Sequence, residues 1–160
     1  MDRIGFGGGC HWCTDAVFQG VKGVSCVEQG YISSHPPHAG FSEAVIVHYD
    51  RTVIELSTLI GIHLQSHSSA SAHSMRRKYR SAIYTFSQVQ KQEAIKILES
   101  MQKEYSDKII TEVLSFHKFE PSEEKFRNYY IKDTGKPFCQ TYIAPKLKLL
   151  EEKYPDIYII

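Results

Sequence analysis

The sequence predicts a mixed α/β (α+β) protein: a two-layer sandwich with a ferredoxin-like βαββαβ core, an added strand and C-terminal helices. Three observations predict it. Apolar and β-branched segments near residues 2 to 6, 24 to 32, 43 to 49 and 79 to 86 read as strands. Helical spacings fall between the first and second of these and between the third and fourth. The resulting order is the split βαβ arrangement, whose helices cover one face of a single sheet. With 160 residues, 42% hydrophobic and 12% aromatic, the chain fits one domain spanning 1 to 160 and able to bury a core.

The elements follow in order. Residues 2 to 6 form a short apolar strand, and Thr14-Asp15 offers helix-starting chemistry before a helix reaching about residue 20. A second strand covers about 24 to 32, and Cys26 within it reads as a small core residue. In SEAVIVHYD, Glu43, Val45, Val47 and Tyr49 share one parity, which places a carboxylate at the start of an apolar face. Leu56, Leu59, Ile60 and His63 recur at helical spacing, and YRSAIYTF follows as a strand. Ser87 with Gln90 makes a capping box, and Ala94, Ile97, Leu98, Met101 and Tyr105 make the buried stripe of a long helix. Residues 109 to 114 read as the added strand. From Pro121 onward come a short helix, the pair Tyr129-Tyr130, a turn at Thr134-Gly135 and a last helix opened by Pro145. The polar stretches SSHPPHAG and SHSSASAHSMRR read as loops.

Charge and composition exclude several function classes. Lys plus Arg number 19 against 18 Asp plus Glu, so no global field draws the chain to nucleic acid or to anionic lipid. No apolar run approaches the roughly 18 residues of a membrane span, and MDRIGFGG lacks the basic and apolar regions of a signal peptide. A cytoplasmic monomer without membrane or nucleic-acid partners is the expectation. Four unevenly spaced cysteines, at 10, 13, 26 and 139, suit a reducing compartment better than a disulfide scaffold.

The chemistry concentrates in GFGGGCHWCTDAVF, which reads as strand, glycine turn, cysteine and helix. A cysteine at a helix N-terminus feels the partial positive charge of unpaired amides, which favours the thiolate. Cys10 is therefore a candidate nucleophile, and the bare N–H groups of its glycine approach suit a developing negative charge. The bland alternative is that Cys10 fills a small site beneath a structural turn, with Trp12 packed in the core.

The stretch GGGCHWCTDAVF resembles the signature of the A-type peptide methionine sulfoxide reductases, in which a glycine run leads to Cys-Phe-Trp and a helix. KGVSCVEQGY is similar to that family's second strand, GFSEAVIVHYD to its Gly-His-Ala-Glu strand and KYRSAIY to its Gln-Tyr-Arg-Ser strand. The tail EVLSFHKFEPSEEKFRNYYIKDTGKPFCQTYIAPKL resembles its closing segment, so the likeness covers most of the chain in the right order.

The resemblance implies reduction of methionine-S-sulfoxide, free or in proteins, on an α/β sandwich without a cofactor. Cys10 would attack the sulfoxide sulfur and Glu43 would protonate the oxygen, while Trp12 walls the S-methyl pocket and Tyr79 offers a phenol. A sulfoxide oxygen leaves poorly until protonated, and a carboxyl beside an apolar face can supply that proton at neutral pH. Without the resemblance, Tyr79 reads equally well as a strand aromatic of the core. The sulfenic acid formed on Cys10 would condense with a second thiol. Cys13, at C-x-x-C spacing, and Cys139, in the tail, compete for that role, and thioredoxin is the implied reductant. His11 stands where the family carries Phe, Phe41 where it carries His, and Ser74 where it carries Asp. A tyrosine-bearing loop is shortened to SSHPPHAG, where His35 or His38 is a candidate replacement and Tyr31 is not clearly matched.

Two other function classes draw on the same residues. A metal-binding module could draw on Cys10, Cys13 and the eight histidines, but neither His35 with His38 nor His63 with His67 lies in a zinc-finger frame. A thiol-disulfide oxidoreductase could rest on C-x-x-C alone, leaving Glu43 without a purpose.

Overall fold

The computed structural model describes residues 2–8, 11–66, 80–123 and 144–157, with the side chains of residues 11 to 13 left aside. The described strands are β1 (Asp2–Gly7), β2 (Val24–Ser33), β3 (Ser42–Tyr49), β4 (Ala82–Thr85), β5 (Glu112–Ser115) and β6 (Lys118–Pro121). The described helices are α1 (His11–Gln19), α2 (Leu56–Ser66), α3 (Gln88–Gln102) and α4 (Ala144–Lys153). The fold is mixed α/β, as the periodicities predict.

All six strands share one sheet in the order β5-β4-β1-β3-β2-β6. Every neighbouring pair is antiparallel except β4 with β5, which run parallel. The sheet curls until its edges approach. β5 ends at Ser115 and β6 begins at Lys118, so only Phe116 and His117 join one edge of the sheet to the other. Phe116 N–H donates to Thr85 at the end of β4, at 2.8 Å, and His117 N–H donates to Ser33 at the end of β2, at 3.0 Å. The Ser34 hydroxyl adds a 2.6 Å bond to the Ser115 carbonyl.

The curl creates two cores. On the helix side, Ile4, Phe6, Val45, Val47 and Tyr49 pack with Phe18 of α1, Leu59 and Ile60 of α2, Ala94 of α3 and Leu147 and Leu150 of α4. Inside the curl, Ile32, Ala44, Ile46, Ala82 and Tyr84 pack with the partly buried Phe86, Leu114, Phe116 and Phe119. Covering both faces explains why β3 is buried without a break from Ser42 to Val47. Its alternation assigns each residue to one core or the other, and Val45, Val47 and Tyr49 share a face as their parity predicts. The inside of the curl is crowded. A Cβ on Gly30 of β2 would lie 2.3 Å from the Glu120 carbonyl oxygen, so only glycine lets β6 close against β2 here.

Several local expectations are corrected. α1 begins at His11, not at Thr14-Asp15. The glycine turn delivers the chain into the helix earlier, and both polar residues lie inside α1, 8% and 2% exposed, with Asp15 accepting a 2.9 Å bond from the Gln19 amide. Cys26 is exposed, not part of the core, because a register shift between Val24 and Cys26 turns the strand locally. α2 is buried around most of its circumference, from Leu56 through Ser66, not along one stripe. The added strand runs from Glu112 to Ser115, and β6, which composition did not announce, follows at once.

The Ser87 cap of α3 is present, its hydroxyl accepting from Gln90 N–H at 3.1 Å. The Gln90 side chain, however, accepts from Phe86 N–H at 2.8 Å and donates to the Arg3 carbonyl at 2.7 Å, stitching the helix start to β1. In the predicted α3 stripe, Ala94 is buried and Ile97, Leu98, Met101 and Tyr105 pack against the core. α4 starts one residue before Pro145. The short helix after Pro121, the Tyr129-Tyr130 pair and the Thr134-Gly135 turn lie outside the described residues.

Candidate active site

β1 brings the chain to the glycine turn. Gly8 has φ +147°, a backbone conformation that L side chains rarely adopt, and α1 begins three residues later. A helix leaves its first N–H groups without intrahelical acceptors, and the first turn of α1 contains no acidic residue to offset their positive potential. Cys10 directly precedes α1 in the chain. Cys10 itself, Tyr79, Ser74, His67 and Cys139 lie outside the described residues, and of His11, Trp12 and Cys13 only the helical backbone is described.

Glu43 stands where its parity predicts, at the start of β3, and only 4% of it is exposed. A carboxyl sheltered at a strand end in this way is suited to meet a substrate oxygen as a proton donor. In register, Glu43 sits opposite Tyr31 of β2, and the neighbouring Ala44 sits opposite Gly7 of β1. The two strand ends touch: a Cβ on Gly7 would lie 3.1 Å from the Glu43 carbonyl oxygen and 2.9 Å from that of Arg80. The strand leading to Cys10, the strand carrying Glu43 and the residue following Tyr79 therefore meet at one end of the sheet.

His63 supports this end from the helix side. It is 2% exposed, its Nε2 lies 2.7 Å from the Gly7 carbonyl oxygen, and its ring packs 4.7 Å from that of Phe6. His35 and His38 face the junction of the sheet edges. His35 stacks on His117 with ring centroids 4.7 Å apart, and His38 Nε2 lies 3.2 Å from a Glu112 carboxylate oxygen. Phe41, two residues before Glu43, is 45% exposed.

Arg80 and Ser42 are the residues that sequence reasoning missed. Arg80 N–H donates to Ser42 Oγ at 2.7 Å, and its guanidinium reaches the Ile32 and Gly40 carbonyls, each at 3.2 Å, and the Tyr84 hydroxyl at 3.1 Å. Burial pushes the Tyr84 phenol above its ordinary value, with the Arg80 charge and the Ser42 hydroxyl opposing that shift. The available signal was an arginine set between a candidate phenol and a strand that is otherwise apolar.

Comparison with known proteins agrees with this geometry. The family model described as "Peptide methionine sulfoxide reductase" matches residues 2–157. The chain is 31% identical to a peptide methionine sulfoxide reductase MsrA of Acinetobacter baumannii strain AYE, covering 98% of each chain. It is 33% identical to the MsrA of Nautilia profundicola, covering 98% of this chain and 96% of that one. Among solved structures, reduced Mxr1 from Saccharomyces cerevisiae matches with TM-score 0.75 at 23% identity, over 88% of this chain and 90% of that one. Methionine sulfoxide reductase A of Corynebacterium diphtheriae matches with TM-score 0.72 at 23% identity, over 82% and 74% respectively. A full-length match at this identity shows that the chain belongs to the peptide methionine sulfoxide reductase family.

Proposed function

We propose that this chain reduces methionine-S-sulfoxide, free or in proteins, to methionine, with Cys10 as nucleophile and Glu43 as general acid. The observation that carries the reading is the burial of Glu43 at the strand end that abuts the last residue of β1. The Cys10 thiolate attacks the sulfoxide sulfur while Glu43 protonates the oxygen; the S–O bond breaks, and the oxygen, released as hydroxide, attacks the Cys10 sulfur and displaces methionine, leaving the sulfenic acid. In net form, thiol and sulfoxide become sulfenic acid and thioether: Cys10 is oxidised by two electrons and the substrate sulfur is reduced by two. Trp12 and His11 line the pocket for the S-methyl group, and Tyr79 donates from its phenol toward the oxygen.

Condensation of the sulfenic acid with the thiol of Cys13 or Cys139 then forms a disulfide and releases water. An external dithiol reopens it. Thioredoxin fills that role in this reading, supported by a structural neighbour, Mxr1, solved in complex with Trx2 (TM-score 0.64, 23% identity, 78% of this chain and 83% of that one). No cofactor is required. The segment β1-α1-β2-β3-α2-β4, with sheet order β4-β1-β3-β2 and antiparallel neighbours, supports a ferredoxin-like core for the catalytic domain. A cytoplasmic monomer completes the reading. Among the described residues no helix is long and apolar enough to cross a membrane.

The deciding assay offers each methionine sulfoxide epimer with dithiothreitol to the parent, Cys10→Ser and Glu43→Gln. The S epimer alone is turned over, Cys10→Ser abolishes turnover, and Glu43→Gln lowers it about 100- to 10,000-fold. Turnover surviving Cys10→Ser refutes the nucleophile. Mass spectrometry after one equivalent of substrate shows which cysteine is linked to Cys10, and insulin reduction without sulfoxide turnover would instead identify a thiol-disulfide oxidoreductase.

A further inference from the structure

Resting on the assignment of Glu43 as the acid, we infer that Arg80 is a positioning residue that fixes the Glu43 carboxyl relative to the end of β1 and thereby sets the rate of sulfoxide protonation. Glu43 lies at the entrance of β3, immediately after a loop, where a strand end is free to fray. Arg80 restrains that entrance from three sides. Its backbone N–H holds the hydroxyl of Ser42, the residue before Glu43, at 2.7 Å. One guanidinium nitrogen holds the Gly40 carbonyl in the incoming loop, at 3.2 Å, and another holds the Ile32 carbonyl at the end of β2, also at 3.2 Å. The third nitrogen, Nε, is fixed by the Tyr84 hydroxyl at 3.1 Å, and the guanidinium carbon lies 5.6 Å from the Tyr84 ring centre.

The same residue touches the nucleophile's side of the site. The Arg80 carbonyl is the nearest obstacle to a Cβ on Gly7, at 2.9 Å, where β1 gives way to the turn leading to Cys10. One residue thus contacts the segment entering β3 and the segment leaving β1. Arg80 also directly follows Tyr79 in sequence. Its fork matters: a lysine offers one compact ammonium and cannot hold two carbonyls and a phenol in fixed directions.

The test is a mutant cycle read in single turnover with methionine-S-sulfoxide and no added reductant, so that recycling does not contribute. Arg80→Lys and Ser42→Ala are each made in the parent and in Glu43→Gln. Each lowers the reduction rate about 10- to 100-fold in the parent, because a misplacement of about 1 Å costs about that much. In Glu43→Gln, which has no acid left to position, each loses less than about twofold. Equal losses in both backgrounds would reduce Arg80 to a structural anchor and overturn the inference. Should Arg80→Lys fail to fold, Ser42→Ala decides alone, since it removes the acceptor at 2.7 Å and leaves the guanidinium in place. A Glu43→Gln enzyme running at the parental rate would instead remove the acid itself, and the inference with it.

Discussion

Replacing Gly7 by alanine inserts a methyl group between two backbone carbonyls. The new Cβ would lie 2.9 Å from the Arg80 oxygen and 3.1 Å from the Glu43 oxygen, with the Tyr84 ring at 3.5 Å. An ordinary carbon–oxygen contact is about 3.3 Å, so from 2.9 Å the Arg80 carbonyl must retreat by about 0.4 Å. Neither obstacle is the tip of a flexible side chain, so β1 must pull away from β3 and β4 at its C-terminal end. Overpacking of this kind costs about 1–3 kcal/mol. At about 2–4 °C per kcal/mol for a chain of this size, that lowers the melting temperature by about 2–12 °C. Gly7 precedes Cys10 by three residues in the chain, so the displacement is expected to be felt at the nucleophile. If a 1 Å misplacement costs about 100-fold, 0.4 Å scaled linearly in free energy costs about sixfold in kcat/KM. Steady-state turnover of methionine-S-sulfoxide and a thermal melt of the same preparation measure both quantities. A parental kcat/KM with a lowered melting temperature would show that the strain relaxes without reaching the nucleophile, and the geometric link argued for Gly7 would be wrong.

Other perturbations follow from contacts already described. His63→Leu leaves the Gly7 carbonyl without its 2.7 Å partner and should destabilise by about 1–3 kcal/mol in urea melts; an unchanged midpoint would count against a structural role for that bond. Although Cys26 is exposed, partial desolvation of its thiol pushes it up, with the Glu28 and Asp15 charges adding to the shift, so little thiolate is present at neutral pH. Cys26→Ser should therefore keep parental turnover, and peptide mapping should find Cys26 alkylated slowly at neutral pH and faster as pH rises. The phenols of Tyr49, Tyr84, Tyr105 and Tyr154 are all held above their ordinary value of 10.0, chiefly by burial. The folded state thus grips these protons more tightly than the unfolded chain, and the associated stability is full below pH 10.0 and lost as pH rises through the folded values. Urea midpoints should fall on crossing that pH, and a flat profile would contradict the burial argument.

Glu43 was legible because period-two alternation put a charged residue on an apolar face, and few structural reasons explain a carboxylate there. The mixed α/β class was legible for the same reason: each segment carries its own period. Contacts between distant segments were not. Cys26 read as core because alternation assumes an unbroken register, and the shift beside it breaks that assumption. β6 was hidden because KFEP contains two charged residues and a proline, and it is a strand only through its pairing with β2. Gln90 announced a cap but not its bond to Arg3, since a side chain's reach across 87 positions leaves no trace in local spacing. Arg80 fell inside a predicted strand and drew no role from its spacing, and only the folded chain reveals its carbonyl partners.

The two-residue link between β5 and β6 bears on solubility as much as on shape. An open sheet normally presents two rows of unsatisfied amides and carbonyls far apart, each able to recruit a stranger's strand. Here both margins are four residues long and tethered to one another through Phe116 and His117, so neither offers a docking rail of useful length. Among the described residues, a sheet closed in this way leaves an incoming unfolded chain little unpaired edge on which to add a strand.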